Sequence, residues 1–140
     1  MLRGFSLIEL MVTVAVVAIL SALAVASYSR YVRRTNRTDA TRTILADSQS
    51  LQRCYSQNFT YTPANGCPTP AGTTISPGGF YSITITIPSA TAYTIAATPA
   101  VGPQTKDSQC ARFTLASNGT QAAVDSGGAD STKTCWGATN

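Results

Sequence analysis

Gly4-Phe5-Ser6-Leu7-Ile8-Glu9-Leu10-Met11-Val12, running on into Thr13-Val14-Ala15-Val16-Val17-Ala18-Ile19-Leu20, is the stretch whose reading decides the fold. From Phe5 to Tyr28 the chain is almost wholly apolar, and Glu9 is its only charged residue. As a helix this segment is roughly 36 Å long at about 1.5 Å per residue. That length spans a hydrocarbon core of about 30 Å. Met1 to Gly4 precede it with one positive charge, Arg3, and arginines begin just after it at Arg30.

Glu9 does not fit a plain anchor. An ionised acid in hydrocarbon costs about 2.5–3.5 kcal/mol or more, so such residues usually have a partner and a function. No Lys or Arg lies between Phe5 and Ser29, so the positive partner must come from elsewhere. A signal peptide cleaved by signal peptidase I would find small-x-small sites between Ser21 and Ser27. The length of the apolar run, the minimal basic region and Glu9 all count against it. A generic single-pass anchor leaves Glu9 without a use.

Composition narrows the class of the remainder. The 140 residues carry a net charge of +4, yet only 11% are charged, against about 25% in ordinary soluble domains. Ser, Thr, Ala and Gly make up the difference, as in many secreted or filament-forming proteins. There is no His, which removes the commonest general base and zinc ligand together. Cys54, Cys67, Cys110 and Cys135 are even in number and widely spaced, which reads as two disulfides in an oxidising compartment. A four-cysteine zinc site would need close pairs, and none occurs.

Beyond the apolar run, residues 29–57 contain neither Pro nor Gly. Ala40, Ile44, Leu51 and Tyr55 are spaced by four, seven and four, which puts an apolar stripe on one helical face. One helix from Phe5 to Gln57 would be roughly 80 Å long. Residues 58–79 turn to Pro, Gly, Thr and Asn and read as a loop. Tyr81, Ile83, Ile85 and Ile87 then alternate with Ser82, Thr84 and Thr86, the pattern of a half-buried strand. Tyr93, Ile95 and Ala97 repeat it up to Pro99, and Phe113 with Leu115 give a third strand. Asn118-Gly119 signals a tight turn, so Thr120 to Val124 return as a fourth. The expected fold is α+β: a long N-terminal helix whose apolar stripe covers a small antiparallel sheet of about four strands.

No catalytic constellation is visible. Asp39, Asp47, Asp107, Asp125 and Asp130 are scattered, and no P-loop lysine follows Gly78-Gly79 or Gly127-Gly128. The stretch from Asp125 to Asp130 lacks the ligand count and closing Glu of a calcium loop. Neither an enzyme, a metal site nor a cofactor is expected. Three N-glycosylation sequons, at Asn36, Asn58 and Asn118, are chance matches in a chain rich in Thr and Asn.

The opening motif, Gly4-Phe5 with Glu9 four residues on at the head of a membrane-length run, resembles the class III signal of type IV pilins and related pseudopilins. The stretch from Arg30 to Ala40, residues Tyr55 to Tyr61 and the closing Cys135-Trp136 resemble type IVa minor pilins of the PilE and ComP kind. The resemblance covers most of the chain. It implies cleavage between Gly4 and Phe5 by a prepilin peptidase and N-methylation of the new Phe5 amine. It also implies that Glu9 meets the N-terminal amine of a neighbouring subunit, which would offset the cost of the carboxylate. Residues 1–4 would then be a leader, 5–28 the transmembrane and filament-core half of the helix, and 29–57 its amphipathic half. Residues 58–140 would form the globular loop and sheet region with a C-terminal disulfide loop. Many type IVa pilins have Gly where this chain has Ala18 and Pro where it has Ala26. Gly and Pro weaken a helix by about 1 and about 3 kcal/mol relative to Ala, so a more continuous helix is expected here.

Four cysteines allow three pairings, and the sequence does not choose among them. Pairing neighbours, Cys54 with Cys67 and Cys110 with Cys135, is the simplest expectation. The second pair matches the C-terminal disulfide loop of pilins. The expected role is a structural subunit of a type IV pilus, serving adhesion, motility or DNA uptake. Its partners would be copies of itself or other pilins, the prepilin peptidase and the inner-membrane assembly platform. The precursor would sit in the inner membrane of a bacterium and the product in an extracellular filament. A pseudopilin of a type II secretion system is the alternative in a related class. Arg30, Arg33 and Arg34 fit a position at the membrane surface, facing anionic headgroups. Some minor pilins of this resemblance are DNA-uptake receptors, and a DNA site here would need exposed cations such as Lys106, Arg112 and Lys133.

Overall fold

A computed structural model describes residues 6–62 and 72–137. Gly4, Phe5 and Cys67 lie outside the described residues, and with them the expected cleavage site and the Cys54–Cys67 pairing. The chain divides into two units, Met1–Val32 and Arg33–Asn140. One helix, α1 (Leu7–Asn58), supplies residues to both. It runs unbroken past Ala18 and Ala26, as the high helix propensity of Ala favours.

In the first unit, large apolar side chains are exposed at successive positions of α1, among them Leu10, Met11, Val12, Val14, Val16, Val17, Ile19 and Leu20. They cover every face of the helix, and an apolar helix of that kind is one made for a non-aqueous surround. By length and composition α1 can cross a membrane.

The second unit is a five-stranded antiparallel sheet in the order β1-β2-β3-β4-β5, packed on the later part of α1. The strands are β1 (Gly72–Ile75), β2 (Tyr81–Ser89), β3 (Ala92–Pro99), β4 (Arg112–Ala116) and β5 (Gln121–Val124). A 3-10 helix, Gly102–Lys106, lies between β3 and β4, and a short helix α2 (Thr132–Trp136) follows β5. The alternation read from the sequence sorts the faces: Tyr81, Ile83, Ile85, Tyr93, Ile95, Ala97, Phe113 and Leu115 are buried. Ala40, Ile44 and Leu51 of α1 close over them. Full burial of a side chain such as Ile44 or Leu51 is worth about 1.5–3 kcal/mol each.

β1 corrects the reading of residues 58–79 as loop. Its four residues, Gly-Thr-Thr-Ile, pair with Ile85 to Ser82 at the sheet edge. All four are exposed, so no apolar alternation marks them. Pro88 lies where the β2–β3 register shifts, between Thr86 and Ser89. A residue without an N–H belongs at such an irregularity. Asp39 of α1 anchors the turn before β2, accepting from the Ser76 hydroxyl and the Gly78 amide. A Cβ on Gly78 would lie 2.7 Å from the Asp39 carboxylate, so a larger residue there would push that side chain aside and disturb the anchor.

Cys110 and Cys135 form a disulfide. It joins the start of β4 to α2, as expected for the C-terminal loop. Cys54 is also disulfide-bonded. Trp136 Nε1 donates to the Ala122 carbonyl at 2.9 Å, and its ring meets Phe113 edge-on at 6.1 Å. The C-terminal segment is thereby held to β4 and β5.

Candidate functional site

Glu9 lies in the first turn of α1 and is exposed. Its amide donates to the Ser6 carbonyl at 3.0 Å. Among the described residues its carboxylate has no ion-pair partner.

In the second unit, the 3-10 helix and the adjoining strand ends enclose an open cleft of about 350 Å³. Lys106, Thr98, Thr105, Ser108 and Ser126 give it one cation and four hydroxyls. Ala111 lines it too, and Arg112 follows directly. Phe113 and Leu115 point into the core, so alternation turns exposed Arg112 to the opposite sheet face. Of the three sequence candidates, Lys106 lines this cleft, whereas Arg112 is exposed beside it in the chain and is not among the lining residues. Lys133 does not line it either. It is exposed on α2, near Asp130. Asp130 itself is held below the usual carboxylate range, first by the Thr132 hydroxyl, then by the Thr132 amide, with Lys133 a smaller contributor.

The one carboxylate lining this cleft, Asp107, is already occupied. Arg37 Nε donates to its Oδ2 and Arg37 Nη2 to its Oδ1, both at 2.7 Å. The same Nη2 donates to Gln109 Oε1 at 2.9 Å. Arg37 and Asp107 are both buried. The fork geometry suits a guanidinium facing a carboxylate, and the pairing makes two buried charges tolerable. Buried Gln104 extends the network, donating through Nε2 to the Arg33 carbonyl at 3.1 Å and the Tyr81 hydroxyl at 2.6 Å. Burial pushes the Tyr81 hydroxyl above the ordinary phenol range. The 3-10 helix carrying Lys106 is therefore pinned to α1 and β2.

Chemically, the cleft offers one cation and several hydroxyls beside a neutralised acid, an arrangement suited to an anion. The sequence did not reveal the Arg37–Asp107 pair. Its partners are seventy residues apart, and Arg37 is one arginine in a basic stretch. A helix position three before Ala40 on the buried stripe was the available signal.

A long apolar helix continued as an amphipathic one, covering an antiparallel sheet and closed by a C-terminal disulfide, defines the pilin class. The chain belongs to the family described as type IV minor pilin ComP, DNA uptake sequence receptor, which matches residues 26–114. A prokaryotic N-terminal methylation motif matches residues 3–25. No curated protein matches the chain. Among solved structures, the non-core minor pilin PilV of Neisseria meningitidis is 24% identical with a TM-score of 0.51, covering 69% of this chain and 90% of its own. A type IV pilin from Shewanella oneidensis is 22% identical with a TM-score of 0.49, over 64% and 89%. The likeness to PilV is one of fold.

Proposed function

We propose that this minor pilin is a DNA-binding subunit of a bacterial type IV pilus, and that the cleft lined by Lys106 is where it meets the phosphate backbone. The observation that carries the reading is the cleft itself: one cation, Lys106, with four hydroxyls and a carboxylate already cancelled by Arg37. Phosphate contacts of this kind position a duplex without reading its sequence. The family's description as a DNA uptake sequence receptor supports the same reading.

Assembly rests on the first unit. Prepilin peptidase cuts between Gly4 and Phe5, the Phe5 amine is methylated, and Glu9 pairs with that amine on a neighbouring pilin. Residues 5–28 lie in the inner membrane before assembly and in the filament core afterwards. The methylation motif over residues 3–25 supports this, as does Glu9, which has no ion-pair partner among the described residues. Mass spectrometry of sheared filaments tests it: the expected N-terminus is methylated Phe5, and an intact Met1 would overturn the processing.

The full chain in detergent micelles tests the DNA reading, by fluorescence anisotropy with a short duplex over a salt series. Each phosphate contact contributes about 0.9 to the slope of log affinity against log salt. The variant Lys106→Gln is expected to reduce the magnitude of that slope by about 0.9. An absence of salt-sensitive binding at micromolar protein removes the reading.

A further inference from the structure

The Arg37–Asp107 pair is a wall between two clefts. Asp107 lines the one just described, and Arg37 lines a second, of about 180 Å³. Arg34, Thr38 and Thr41 form one side of this second cleft, and Thr134 and Trp136 the other. Arg34, Thr38 and Thr41 are four and three residues apart, so they share one face of α1. Arg34, Thr38 and Thr134 are exposed, and no carboxylate lines the cleft. Lys133 sits beside it, next to Thr134.

We infer that the second cleft holds a backbone phosphate of the same DNA duplex, gripped by the Arg34 guanidinium with threonine hydroxyls as further donors. The inference rests on the DNA reading above and adds a contact residue to it. A planar guanidinium matches two phosphate oxygens at once. Arg37 is committed to Asp107 and Gln109, which leaves Arg34 to make the contact. Because Arg37 cancels Asp107 in place, a polyanion crossing the wall meets Lys106 on one side and Arg34 and Lys133 on the other. Lys133 is the weaker of these, since Asp130 is near it.

The competing use of Arg34 is attraction to anionic lipid headgroups. Simple exposure would suffice for that. The threonines set around Arg34, one from a segment a hundred residues away in sequence, favour a defined anion.

The experiment compares wild type, Arg34→Gln, Lys106→Gln and Arg42→Gln, all full chain in micelles, with the same duplex and salt series. Arg42 is exposed on α1 and lines neither cleft, so it controls for lost net charge. Arg34→Gln is expected to bind about tenfold more weakly, since a hydrogen bond to a charged group is lost. Its salt slope is expected to fall by about 0.9, as for Lys106→Gln, with Arg42→Gln unchanged. If Lys106→Gln weakens binding while Arg34→Gln matches Arg42→Gln, the second cleft is overturned and the DNA reading stands. If wild type shows no salt-sensitive binding, both fall together. If Arg34→Gln loses affinity for phosphatidylglycerol vesicles but not for DNA, the membrane use replaces the inference.

Discussion

The two halves of α1 share one unbroken backbone and obey opposite rules. Before Val32, large apolar side chains face outward on all sides, with Leu20 at 61% exposure. After Arg33, one stripe is sealed against the sheet, and Ile44 and Leu51 are at 0%. Their charged residues differ in the same way. Glu9 has no partner among the described residues, whereas Arg37 has both arms of its fork filled. Helix continuity is thus a local property, set by propensity at each position. What the helix is for depends on the period of its apolar residues and on where the opposite charge is found. Arg37 finds it within the chain. Glu9, in our reading, finds it on another subunit.

The contrast breaks most visibly at these charges. Arg37→Met leaves Asp107 buried and unpaired, and is expected to cost about 3–5 kcal/mol of stability. Trp136, the single tryptophan, reports this by fluorescence during chemical denaturation of the full chain in detergent. Arg37→Met/Asp107→Leu is expected to recover most of the loss, because no lone charge remains. Glu9→Gln should leave the same unfolding curve unmoved. A loss of similar size there would mean that the halves are not energetically separate.

The apolar residues give the next effect. Leu51→Ala opens a cavity in the core and is expected to cost about 2–5 kcal/mol by the same fluorescence. Leu20→Ala, exposed in the first unit, should stay within about 0.5 kcal/mol.

The smallest effect sharpens the contrast within the second half. Burial raises the pKa of Asp47. The folded state therefore holds its proton more tightly than the unfolded chain, and stability falls as pH rises from the unfolded value through the raised one. Asp47→Asn is expected to gain less than about 0.5 kcal/mol at neutral pH. That gain should vanish near about pH 3, where the carboxyl is protonated in both states. An equal gain at both pH values would mean that desolvated charge is not its source.

Much of this was legible beforehand, because the physics behind it is local. Alternation at Tyr81–Ile87 and Tyr93–Ala97 marked β2 and β3, and Asn118-Gly119 marked the turn into β5, where Gly119 has φ of +84°. The Ala40–Ile44–Leu51 stripe marked the covering helix. β1 escaped because an exposed edge strand carries no burial pattern. The grouping of Arg34 with Thr134 and Trp136 escaped for another reason. Hydropathy and spacing describe neighbours along the chain, and these neighbours come from different elements.

By itself, the sequence determined the apolar anchor, the lone acid within it, the helix that follows and the alternating strands. Each depends on residues a few positions apart. Only the tertiary structure decided that Arg37 turns inward to Asp107 while Arg34 stays open, though both belong to one basic stretch. The reason is packing: Arg37 lies one turn before Ala40 on the face that meets the sheet, and a charge on that face must carry its partner with it.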